Sequence, residues 1–74
     1  MTHEYPTWSW RFEAPDGTPV TPEGFSGSDF PSQADAESWV GENWRELLAA
    51  GVEQVVLLEG DREVYGPMSL RPVR

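Results

Sequence analysis

SQADAESWVGENWRELLAAG, residues 32–51, decides the fold. At 100° per residue, Ala36, Val40, Asn43, Trp44 and Leu47 fall on one face. Trp39 and Ala50 flank that face on one side and Leu48 on the other, while Asp35, Ser38, Glu42, Arg45, Glu46 and Ala49 lie opposite. This pattern predicts one amphipathic helix with a single buried stripe. Ser32 is placed to cap the first turn, because its hydroxyl can take a backbone N–H that lacks a partner there. Asp35, three residues on, completes a capping-box-like pair and suits the positive end of the helix dipole. Pro31 discourages any earlier start. At the far end Gly51 fits the left-handed position, with Val52 folding back onto Leu47 in a Schellman-type cap. Gly41 costs about 1 kcal/mol relative to Ala in a helix interior. It is either a point of close backbone approach or a tolerated defect.

Outward from the helix, the pattern changes to alternation. On the N-terminal side Trp8, Trp10 and Phe12 point one way and Thr7, Ser9, Arg11 and Glu13 the other, the signature of a half-buried strand. Pro15-Asp16-Gly17 is a turn. Thr18 to Thr21 reads as a short return strand, confined to an edge by Pro19 and Pro22. Glu23 to Pro31 reads as a loop, with Phe30 plugging the core beside the helix start. On the C-terminal side Glu53 to Glu59 reads as a strand, and the run Val55, Val56, Leu57, Leu58 predicts burial on both faces. Gly60-Asp61 is a two-residue hairpin turn, and Arg62 to Met68 returns. Its simplest register pairs Glu59 with Arg62, Leu57 with Val64 and Val56 with Tyr65. Pro67 limits pairing near the end, and Leu70 to Arg74 reads as a loose tail. The expected fold is α+β, ββαββ: a four-stranded, mostly antiparallel sheet with the helix on one face. Strand order 2-1-3-4 is the simplest, and 2-1-4-3 the next.

Seventy-four residues predict a single domain, 1–74, frayed at about 1–4 and 71–74. So small a domain buries only about 60–65% of its unfolded surface. Four Trp, three Phe and two Tyr therefore read first as core filling. Cysteine is absent, which excludes a disulfide, a thiol nucleophile and Cys-ligated zinc. No apolar run approaches the ~20 residues of a membrane span. Met1 to Pro6 lacks the basic and apolar regions of a signal peptide, so a cytoplasmic location is expected. The net charge of −8 opposes direct nucleic-acid binding and favours a basic partner surface. The absence of Lys, Ile and Cys beside plentiful Arg, Val, Ala, Gly and Pro reads as GC-rich coding bias.

Chemistry has few footholds. Asp35, Glu42 and Glu46 form an outer helix stripe, but a metal site or acid–base pair needs enclosure or further ligands. Serines are frequent, yet the single His, His3, lies near the terminus and is poorly placed as a base. Gly24 and Gly27 stand among acids, unlike a phosphate-cradling loop. No cofactor, metal or enzymatic activity is expected.

FPSQADAESWVGENWRELLAAGV, with WSWRFE before it and VYGPMSLRP after it, resembles a set of small actinobacterial proteins; ESW…WREL and YGPMSL are the specific parts. That resemblance implies a class and a host but no activity. The chain also resembles MbtH-like proteins in length, acidity, Trp content and the segment GENWREL, while their Ser-Leu-Trp-Pro signature is missing. The MbtH-like resemblance implies a helper that binds the adenylation domain of a peptide synthetase.

The functional expectation is a small non-enzymatic interaction or adaptor module, binding a protein partner or a second copy. Its reason is that one helix covers one sheet face, whereas the strand at 53–59 is apolar on both. The alternative without a partner folds Phe25, Met68 and Leu70 over the second face. The expected contact residues are Trp39, Glu42 and Glu46, because Trp39 stands at the margin of the apolar arc beside two carboxylates. An acidic mimic or regulator of a basic protein surface is the alternative from another class.

Overall fold

The computed structural model describes residues 7–71. The helix, α1, runs Gln33–Ala49, capped by Ser32, whose hydroxyl oxygen accepts from the Asp35 N–H at 3.2 Å. At the other end the Gly51 N–H donates to the Leu48 carbonyl at 3.1 Å and the Val52 N–H to the Leu47 carbonyl at 2.9 Å. These two bonds are the Schellman pattern. Gly51 holds the left-handed φ of 101° that the motif requires, and Val52 and Leu47 are both fully buried.

Three strands make one antiparallel sheet in the order β1-β2-β3: β1 is Trp8–Glu13, β2 Gln54–Glu59 and β3 Arg62–Ser69. Across β1 and β2, Trp10 faces Leu57 and Phe12 faces Val55. Paired residues share a face, so Trp8, Trp10, Phe12, Val55 and Leu57 turn toward α1. There they form the core with Ala36, Val40, Leu47, Val52 and Leu70, bordered by Phe25, Phe30, Trp39, Trp44, Leu48 and Val64. The Trp10 indole N–H donates to the Ala36 carbonyl at 2.8 Å, tying the central aromatic of β1 to the first turn of α1.

The architecture is therefore βαββ, and the expected ββαββ with four strands needs correction. Thr18 to Thr21 forms only an isolated bridge, Glu13 to Pro19, with the Val20 N–H on the Phe12 carbonyl and the Ala14 N–H on the Thr18 carbonyl. Proline has no N–H to extend a ladder, and Pro19 and Pro22 bracket the segment. The chain leaves β1 after Val20 and returns at Gly27 to Phe30, where Phe30 bridges Trp8. The edge beside β1 is thus made of two fragments rather than a strand.

The hairpin register is also corrected. Glu59 does face Arg62, and Gly60 has the positive φ of its turn. Leu57, however, faces Tyr65 rather than Val64, and Val56 has no direct partner at Tyr65, because bulges interrupt the ladder. Gly66 explains the second irregularity. It has φ 132°, and a Cβ there would stand 2.9 Å from the Val56 Cα and 3.0 Å from the Val55 oxygen. Two backbones meet where only glycine fits.

The start of the expected tail is held rather than loose. Leu70 is 7% exposed, its N–H donates to the Glu53 carbonyl, and Arg71 grips the Glu53 carboxylate in a bidentate pair at 2.6 Å. Residues 72–74, and Met1 to Pro6 with His3, lie outside the described residues.

The outer sheet face finds cover within the chain. Val56 is only 2% exposed. Arg11 stands opposite it, donating to Glu13 at 2.9 Å and to Glu63 of β3 at 2.8 Å. To reach Glu63 the guanidinium must cross β2, since each strand spacing is about 4.8 Å. Gln54 completes the network, donating to Glu13 at 2.8 Å. On this face the Arg11 network and the close approach of Gly66 lie beside Val56, Leu58 is half-buried, and Phe25 and Leu70 pack on the helix side.

Candidate functional site

Trp39, Glu42 and Glu46, the contact residues expected from the sequence, lie in two different surroundings on α1. Trp39 is half-buried and leans inward, its ring 6.0 Å from that of Phe12 and 5.6 Å from that of Phe30. Glu42 and Glu46 are exposed and line a shallow depression over Gly41 with Trp44 and Arg45. No atom comes within 4 Å of a Cβ built on Gly41, so no neighbouring backbone uses the space that this glycine leaves. The structure therefore separates Trp39 from the depression that the two glutamates border, and brings Trp44 to it instead. The Arg45 guanidinium lies 5.2 Å from the Trp44 ring centroid, a cation–π contact.

Helical spacing places Glu37, Gly41, Trp44 and Leu48 along one flank of α1. That flank looks toward β3, because the Tyr65 hydroxyl donates to the Glu37 carboxylate at 2.8 Å. Partial burial pushes the Tyr65 phenol up to about 12, with the Glu37 hydrogen bond adding to the effect. The same bond, with a second from Gln33, holds the Glu37 carboxyl below its usual range. The helix lies nearer to β1 than to β3. Part of the helix-side surface of β3 is left open, and on it are Tyr65 and Met68, each 36% exposed. They are the two exposed large apolar side chains among the described residues. Sequence alternation could not find them, since the bulges decide which way each residue of β3 points.

The charges around this flank are unevenly matched. Arg11, Arg62 and Arg71 are spent on Glu13 and Glu63, Glu59 and Glu53 respectively. Arg45 lies on Trp44. Glu42 and Glu46 have no basic partner among the described residues. The flank carries Trp44, Tyr65 and Met68, and the depression that Glu42 and Glu46 line adjoins it only through Gly41 and Trp44. Such a surface suits contact with another macromolecule. Among the described residues no three His, Asp or Glu side chains converge as metal ligands would, and no helix is long and apolar enough to cross a membrane. Comparison with family models, with curated proteins and with solved structures returns no match to the chain.

Proposed function

We propose that this chain is a non-enzymatic protein-interaction module whose contact surface is the flank between α1 and β3. The observation that carries the reading is the exposure of Tyr65 and Met68 on the helix-side face of β3, opposite Leu57 and Val55, where α1 leaves the sheet partly uncovered. In a chain with so small a core, large apolar side chains stay outside at a cost in burial. Glu42 and Glu46 at the rim select a partner with basic residues around an apolar centre, the usual anatomy of a specific contact. The MbtH-like helpers are a model of such a role.

Capture from host extract on the immobilised chain, read by mass spectrometry, tests the reading. Wild type is expected to retain a protein that the Tyr65→Ser/Met68→Ser double variant loses, while far-UV dichroism stays unchanged. Retention should fall as salt rises from about 0.05 to 0.5 M, because the rim charges are exposed. Equal retention by both baits would count against this surface. A light-scattering mass of twice the chain, lost in the double variant, would identify the partner as a second copy.

A further inference from the structure

The free edge of β1 is closed by its own chain at both ends and not in the middle. Of the backbone groups of Trp8, Trp10, Phe12 and Ala14 that point away from β2, all but two bond to residues 17–30. Phe30 exchanges both hydrogen bonds with Trp8, at 2.8 and 3.0 Å. The Trp10 N–H donates to the Gly27 carbonyl at 2.6 Å, and the Phe12 carbonyl accepts from Val20 at 2.9 Å. The Trp10 carbonyl and the Phe12 N–H remain, one on each side of Arg11, with no hydrogen-bond partner among the described residues. Here the chain arches away between Val20 and Gly27. The arch and the strand enclose a groove of about 410 Å³, lined by Trp10, Arg11, Phe12, Val20, Phe25 and Ser26 among others.

An acceptor and a donor on one strand edge, one residue apart, match a particular ligand. A single residue running parallel to β1 presents its own N–H to the first and its own C=O to the second. We infer that the interrupted edge of β1 binds an extended peptide segment, which adds one to three residues of strand inside the arch. The apolar lining from Val20 and Phe25 takes uncharged side chains within the groove. Outside it, residues 14–30 carry Asp16, Glu23 and Asp29 and no basic residue, so the segment is basic on both flanks. Arg11 does not oppose this, because its guanidinium is held by Glu13 and Glu63. The site lies on the opposite edge of the sheet from β3 and stands independently of the flank proposed above.

Amide NMR of the whole chain tests it. The probes are acetylated, amidated pentapeptides Lys-X-X-X-Lys with Ala, Val or Thr at each X. At least one is expected to give saturable shifts confined to Trp10–Phe12 and Val20–Gly27, with the Phe12 amide moving downfield and gaining exchange protection. N-methylating the central residue of that peptide removes the donor to Trp10 and should weaken binding about tenfold. Ser26→Arg, a change at an exposed position, fills the mouth of the groove and should abolish the shifts at an unchanged unfolding midpoint. Absence of saturation by any member at millimolar concentration would overturn the proposal. So would equal binding of the N-methylated peptide, shifts centred on β3, or a Phe12 amide already fully protected in the free chain.

Discussion

Leu47 is fully buried at the centre of the helix stripe, and Leu47→Ala should cost on the order of 2–5 kcal/mol. Chemical denaturation reads this directly, and a near-neutral result would contradict the helix phase. The glycines divide by what surrounds them. At Gly41 the helix is regular and nothing crowds a new Cβ, so Gly41→Ala should stabilise the chain by up to about 1 kcal/mol. At Gly66 the positive φ and the Val56 backbone make a Cβ untenable, and Gly66→Ala should cost about 2–4 kcal/mol. The difference between them was only half legible in the sequence. The cap residues Ser32 and Gly51 could be read because capping is local. The need for glycine at 66 comes from a strand remote in sequence, and nothing next to Gly66 announces it.

At the scale of elements, α1 and β2 follow from periodicity and from the apolar run, while the pairing of their neighbours does not. Pro19 limits the ladder through its own chemistry, whereas the returning fragment at Gly27 to Phe30 depends on long-range contacts with Trp8 and Trp10. The same holds for β3, whose bulges brought Tyr65 rather than Val64 opposite Leu57. The links between elements titrate. Hydrogen bonds from Gln54 and then Arg11 hold the Glu13 carboxyl below its usual 4.5, and Glu37 is lowered by Tyr65 and then Gln33. A carboxylate with a lowered folded pKa stabilises above its unfolded value, and that contribution is lost as pH falls through the folded one. The unfolding midpoint should therefore drop as pH falls below about 4.5, and Glu13→Gln should flatten the slope. Tyr65 has the opposite sign. Its neutral form is favoured in the fold, so its contribution is present below pH 10 and is lost as pH rises toward about 12. Absorbance titration at 295 nm should show a tyrosine ionising late, and Glu37→Gln should bring that step to lower pH.

Over the whole molecule, the aromatic residues grade from core to surface, and Tyr65 packs edge-on against the buried Trp10 while staying 36% exposed. Trp10, Phe12, Phe30 and Trp39 close the side of the core nearest β1, while Trp44, Tyr65 and Met68 border the open flank at β3. The sequence pointed to the acidic helix face and to the need for large buried groups. On the helical wheel Trp44 lies within the buried stripe and Trp39 at its margin, which makes Trp39 the contact candidate. In the structure both are half-buried, Trp39 against the rings of Phe12 and Phe30 and Trp44 beneath the Arg45 guanidinium. The most direct test of the proposed interaction surface compares Trp39→Ala with Met68→Ser in two measurements, unfolding free energy and capture per folded molecule. We predict that Trp39→Ala loses about 2 kcal/mol and keeps its partner, whereas Met68→Ser stays within about 0.5 kcal/mol of wild type and loses it. Capture lost with Trp39→Ala at unchanged stability, together with capture retained by Met68→Ser, would contradict the account.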